Sequence, residues 1–185
     1  MRILASCAKS FMNRLLSIVA LLLFFSCRSK ETNNAVVPVP DKPTTAKVDT
    51  VRREKFIVSI QYDKYSVDTF TGKRAAINYS SNMTARRFRS AINWSIDKFG
   101  MNFAGHYNLA RWGCGTSCQN GAITDLQTGR VYDIPTASLD YEFRKDSRLL
   151  VVNPPDSTGY YDYCRYCEPE LWVWNEKKKK FEKLN

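Results

Sequence analysis

Gly105–Tyr132, reading GHYNLARWGCGTSCQNGAITDLQTGRVY, limits the fold more than any other stretch of the chain, because strand-like sequence is interrupted there by a turn rich in glycine and cysteine. Phe103–Trp112 alternates, with Phe103, Tyr107 and Leu109 on one face and His106 and Asn108 on the other, as a strand of period two requires. Ala122–Leu126 and Arg130–Ile134 then bracket Gln127-Thr128-Gly129. Gly129 can take a positive φ there and Asp125 can hold the turn backbone, so the pair reads as a hairpin.

The remaining pattern extends this picture. Phe56–Tyr62 sets Phe56, Val58, Ile60 and Tyr62 against Ser59 and Gln61 and is expected to be a strand; a second short strand, Ala75–Tyr79, follows the turn at Thr71-Gly72-Lys73. Ala85, Phe88, Ile92, Ile96 and Phe99 recur three or four residues apart. That spacing predicts one amphipathic helix from about Thr84, as N-cap, to Phe99, with Gly100 as its stop. Arg148–Asn153 is a short apolar run suited to a central strand and ended by Pro154-Pro155. Ser157–Pro169 reads as a polar, tyrosine-rich loop, and Leu171–Trp174 leads into a last hairpin whose tip is Lys177–Lys180. Ten tyrosines and ten phenylalanines also favour sheet, where rings pack well on a pleated surface. The expectation is a mainly β (α+β) fold: a small antiparallel sheet or sandwich of about seven to eight strands with one packed amphipathic helix. Phe103–Ile134 and Arg148–Leu184 resemble each other faintly, as β-propeller blades do, but two units cannot close a propeller.

Of the 185 residues, the first 26 read as an export signal. Arg14 precedes the apolar run Leu15–Phe25, which has the length of a signal-peptide core and is too short to span a bilayer. The run resembles a bacterial lipoprotein signal: Leu23, Phe24, Phe25 and Ser26 stand before Cys27 where that family's lipobox stands, with Phe24 departing from the usual leucine. The resemblance implies that Cys27 carries lipid and begins the mature chain, whether translation starts at Met1 or at Met12. An ordinary signal-peptidase cut and a retained apolar anchor are the alternatives. Residues 27–53, with Pro38, Pro40, Pro43 and four threonines, read as a flexible Pro/Thr-rich tether, which leaves 54–185 as a single globular domain. No acid-rich run follows Cys27, so the expected location is the cell envelope, facing the periplasm, with the outer membrane ahead of the inner. Removing residues 1–26 takes away Arg2, Lys9 and Arg14 and no acid, so the net charge falls from +10 to +7. Outside the cytoplasm that charge favours an anionic glycan or an envelope protein over nucleic acid, although colloidal solubility explains it equally well.

With Cys7 and Cys27 set aside, Cys114 and Cys118 stand as C-x3-C, and Cys164 and Cys167 as C-x2-C. In an exported chain four cysteines read first as two disulfides. Of the three pairings the two local ones are preferred, Gly113 and Gly115 allowing the first loop to close. The rival is a four-thiolate zinc site. A redox role for Cys164-Arg165-Tyr166-Cys167 is weaker, since Glu168-Pro169 and a strand follow it instead of a helix. No cofactor, metal or catalytic residue is assigned. His106, the only histidine, lies eight residues before Cys114, so a Cys–His pair with Asp125 can be drawn, but a polar side chain on the open face of a strand is the commoner reading. Trp112, Tyr160, Tyr161, Tyr163 and Tyr166 form the candidate binding surface, because the tyrosine loop is too polar for an interior.

Asn102–Asn153, which includes WGCGTSCQ and ends in DSRLLVVN, resembles a family of small exported bacterial proteins to which no activity is attached, so the resemblance implies export and nothing catalytic. The expected role is a membrane-anchored envelope lipoprotein acting as a non-enzymatic binding or interaction module. The alternatives are an inhibitor or immunity lipoprotein that blocks another enzyme, and an envelope hydrolase or thiol-dependent enzyme using Cys114 or His106.

Overall fold

The computed structural model describes residues 52–184; the expected export signal, Cys27 and nearly all of the expected tether lie outside the described residues. Nine short strands form three antiparallel sheets there, accompanied by two short helices. Strands β2 (Tyr107–Gly115), β3 (Cys118–Asp125) and β4 (Val131–Asp133) make one sheet in that order. Strands β5 (Tyr141–Phe143), β6 (Leu149–Val152), β8 (Glu170–Asn175) and β9 (Lys180–Lys183) make a second, ordered β5-β6-β8-β9. The third is the small pairing of β1 (Arg53–Lys55) with β7 (Tyr160–Asp162). The expected mainly β class holds, with nine strands instead of seven or eight because β1, β5 and β7 are only three residues long.

Strand periodicity explains how the layers stack. Leu109 and Ile123 of the three-stranded sheet and Leu150, Val152 and Trp174 of the four-stranded sheet enter one shared core, as the facing sides of a sandwich do. Their neighbours point the other way. Ala110 and Ala122 meet Ile92 and Ile96 of the helical layer, and small residues there let the helix approach the sheet closely. Leu149, Val151 and Leu171 meet Tyr62, with Phe56 and Ile60 packed against them. Both faces of β6 are therefore covered, which is why it reads as an unbroken apolar run and not as an alternating one.

The helical layer departs from expectation in two ways. The N-cap is Asn82, not Thr84: the Asn82 side chain accepts the Ala85 N–H at 2.7 Å. The helix is also kinked, with α1 (Met83–Arg87) and α2 (Arg89–Phe99) meeting at Phe88, whose φ of −112° and ψ of 30° lie off helical values. The cause is local packing, since the Phe88 ring stacks on Trp112 with centroids 4.3 Å apart. Gly100, at φ 60°, ends α2 as expected.

Two expected strands are not formed. Phe56–Tyr62 buries Phe56, Ile60 and Tyr62 against the four-stranded sheet without joining it, then enters a 3-10 turn at Tyr62–Tyr65; Val58 stays exposed. Periodicity reported three of the four alternating side chains correctly as covered, and covering does not require a ladder partner. Ala75–Tyr79 runs beside the β3–β4 hairpin, held by Ala75 N–H to Leu126 C=O at 2.9 Å and Asn78 N–H to Gly129 C=O at 2.8 Å. Gly129 is required at that crossing: its φ is 74°, and a Cβ would strike the Ala76 carbonyl. At the chain's other margin Arg52 and Arg53, placed by sequence in the tether, are part of the folded unit. Arg53 pairs with Asp162 in β1–β7, and the Arg52 carbonyl accepts the Tyr163 N–H at 2.7 Å.

Candidate functional site

The β2–β3 hairpin carries the first cysteine turn beyond the core. Its register passes from Gly113 opposite Gln119 to Gly115 opposite Cys118, so Cys114 is the extra residue of a bulge. The Cys114–Cys118 disulfide crosses that bulge with Cα atoms 5.0 Å apart, and Ser117 sits at φ 50° in the turn. Cys164 and Cys167 form the second bridge, also with Cα atoms 5.0 Å apart, and the Cys167 N–H donates to the Cys164 carbonyl at 3.2 Å. Each pair closes within its own turn, as the preferred pairing required. A four-thiolate set would instead need sulfurs drawn from two separate turns.

Asn153 fixes the second turn to the body of the domain. It stands just past β6 at φ 53°, a left-handed conformation that asparagine tolerates better than most residues, and is 4% exposed. Its Oδ1 accepts the N–H groups of Ser138 at 2.8 Å and Leu139 at 2.9 Å. Its Nδ2 donates to the carbonyls of Tyr166 at 2.9 Å and Glu168 at 3.3 Å. One buried amide thus ties the Cys164–Cys167 turn to the loop that precedes β5. Between the two cysteine turns lies a cleft of about 400 Å³, lined by Ser117 from the first and by Arg165 and Tyr166 from the second, with Asn153 among its walls.

The candidate aromatic surface divides. Tyr160, Tyr163 and Tyr166 are exposed, and each carries a guanidinium over its ring: Arg53 at 5.4 Å, Arg52 at 5.1 Å and Arg165 at 5.3 Å respectively. Tyr161 is half-buried and donates its hydroxyl to Glu54 at 3.0 Å. Trp112 does not belong to this surface. It is half-buried on the helical side of β2, packed against Phe88 and the core that includes Ile92 and Ile96, because it shares the face of Ala110. The sequence missed Asn153, whose one local signal was an asparagine before Pro154-Pro155 at the end of an apolar run.

His106 is not on an open face. Its Nε2 lies 3.9 Å from Asp125 and 3.7 Å from Glu176, with its ring against Tyr107. Glu176 accepts hydrogen bonds from the Tyr107 hydroxyl at 2.9 Å, the Trp174 indole at 2.7 Å and the Lys179 ammonium. Burial pushes the Glu176 carboxyl up, but hydrogen bonds from Lys179, Tyr107 and Trp174 outweigh it and hold the pKa below the usual value. Burial and the bond to Glu176 push the Tyr107 hydroxyl well above the ordinary tyrosine range. Asp125 is committed to its hairpin, accepting the Gln127 N–H at 2.9 Å and the Thr128 hydroxyl at 2.8 Å. Eight residues of extended chain separate His106 from Cys114, roughly 25 Å at strand rise, and the Cys114 sulfur is bridged. No Cys–His nucleophilic pair forms. The expected turn is formed by residues 176–179, with Lys180 already opening β9; Asn175 accepts the N–H groups of Lys177 and Lys178, and Lys178 and Lys179 pair with Glu182 and Glu176.

No protein-family model, curated protein or solved structure matches the chain.

Proposed function

We propose that the protein is a lipid-anchored binding module of the cell envelope, which presents its two disulfide-closed turns to an envelope partner. Cys27 carries the lipid, the proline-rich segment after it is the tether, and the folded unit faces the periplasm, on the outer membrane ahead of the inner. The observation that carries this reading is the convergence of Ser117 from one turn and Arg165 and Tyr166 from the other on a single cleft. Disulfides this short contribute little to global stability, so their value lies in holding the shape of an exposed surface. Arg165 takes part in no ion pair among the described residues and rests on a tyrosine ring, which leaves its N–H groups for an acidic partner, protein or glycan.

Pull-down from solubilised envelopes tests the reading. Wild-type chain and Lys177→Ala should capture the same stoichiometric partner, and the double variant Arg165→Glu/Tyr166→Ala should lose it. Retention by the double variant, or no partner at all, refutes the proposal. A captured enzyme that loses activity in the complex would define the module as an inhibitor.

A further inference from the structure

A second, larger cleft of about 720 Å³ shares a wall with the first: Gln119 lines it, and Ala137, the bridge partner of Gln119, lines the other. One side is the C-terminal half of α2, where Trp94 is 58% and Phe99 53% exposed; the opposite side is the edge strand β5 with Leu139 just before it, 45% exposed. Three of the large apolar side chains that the domain leaves in water therefore border one concavity, which single scattered surface residues do not do. The Trp94 and Phe99 rings stand at 84° with centroids 5.5 Å apart, offering two differently oriented flat faces. The polar lining is the Arg111–Asp140 ion pair, half-exposed on both partners, with Asn102, Gln119 and Glu142, the last of which accepts the Tyr62 hydroxyl at 3.0 Å.

We propose that this cleft binds an uncharged oligosaccharide. A sugar ring has apolar C–H faces and a hydroxyl rim, so it matches flat aromatic faces beside a guanidinium and a carboxylate that can donate to and accept from hydroxyls. Charge decides between ligand classes. The chain carries +10, yet at this cleft Arg111 and Lys98 are matched by Asp140 and Glu142, so no excess of one sign selects an anion or a cation. An extended peptide pairing with β5 is the competing occupant, but β5 offers only three residues of ladder. Lys98 sits 5.3 Å from the Trp94 centroid and swings aside on a flexible stem when a sugar stacks there.

The test uses the full chain in a zwitterionic detergent, because an alkyl glycoside would compete with the ligand. With 5-fluorotryptophan incorporated, the four tryptophans give four fluorine resonances, and Trp94→Phe identifies that of Trp94. The β-linked tetramers of N-acetylglucosamine and glucose are titrated to about 10 mM, together with a capped hexapeptide of alternating valine and threonine; a saturable site in this range has a Kd of a few millimolar or tighter. The expected result is a saturable shift of the Trp94 resonance with one of the sugars, while the buried Trp174 stays still. Trp94→Ala, followed through the remaining tryptophans and by calorimetry, weakens binding by about tenfold or more, and Arg111→Ala by about threefold or more. The proposal is overturned if neither sugar moves the Trp94 resonance, if the peptide does so instead, or if Trp94→Ala binds sugar as the wild type does. Arg165→Glu/Tyr166→Ala leaves sugar binding unchanged, so this result and the pull-down stand or fall separately.

Discussion

Replacing Asn153 by alanine removes four hydrogen bonds from a side chain that is 4% exposed. The two N–H groups of Ser138 and Leu139 lie where water can reach them in part, so each lost bond there costs about 0.5–1 kcal/mol. The carbonyls of Tyr166 and Glu168 lose their shared donor, at a similar cost. Alanine at φ 53° adds about 1 kcal/mol of backbone strain. The sum is about 3–5 kcal/mol, a large part of the stability of a domain this size. Asn153→Gly deletes the same bonds and relieves the strain, so it should be about 1 kcal/mol less harmful than alanine. Asn153→Asp keeps the acceptor for the two N–H groups but turns a carboxylate toward two carbonyls. Urea unfolding followed by fluorescence of the buried Trp174 measures all three variants, and amide exchange at Ser138 and Leu139 reports the loop directly. If Asn153→Ala stays within about 1 kcal/mol of wild type with exchange unchanged, Asn153 does not hold the second cysteine turn in place.

Other perturbations test separate parts of the structure. Cys114→Ser/Cys118→Ser should cost only about 2 kcal/mol, since the closed loop is short, while changing the resonances of Gly113–Ser117; a loss above about 4 kcal/mol would show that the bridge supports the core. Gly129→Ala should cost about 2–4 kcal/mol by urea midpoint, because it combines positive φ with collision against the Ala76 carbonyl, and a neutral result would contradict that crossing. Tyr62, Tyr107 and Tyr141 have raised hydroxyl pKa values, burial being the first cause in each and Tyr141 reaching about 12. Their contribution is intact below the unfolded value near 10 and lost as pH climbs past it, so phenolate absorbance should show a late step coincident with unfolding. Labelling cells with a fatty-acid analogue should mark the wild-type chain and leave Cys27→Ser unmarked; label on the variant removes the anchor from the account.

How much of this was legible depended on distance along the chain. Asp125 and Gly129 announced the β3–β4 hairpin because turn chemistry acts within a few residues. The Arg148–Asn153 run announced a strand covered on both faces, and Gly100 announced a helix end. Phe56–Tyr62 misled because alternation records burial, and that segment is buried by packing without a ladder. Thr84 lost the N-cap to Asn82, two residues earlier, where either residue type could serve. Trp112 was grouped with the tyrosines by residue type, whereas strand parity sends it to the helix. Asn153, the shared cleft of the cysteine turns and the Arg111–Asp140 pair join residues 13 or more positions apart, through loops whose path no local pattern specifies.

The most direct test of the binding account is site-specific photo-crosslinking in the living cell. The full-length chain carries benzoylphenylalanine either at Tyr166, on the rim of the cleft between the cysteine turns, or at Met83, similarly accessible at the start of the helical layer. The account predicts a discrete crosslinked species from position 166 that is absent from position 83. The same products from both positions, or none from position 166, would contradict it.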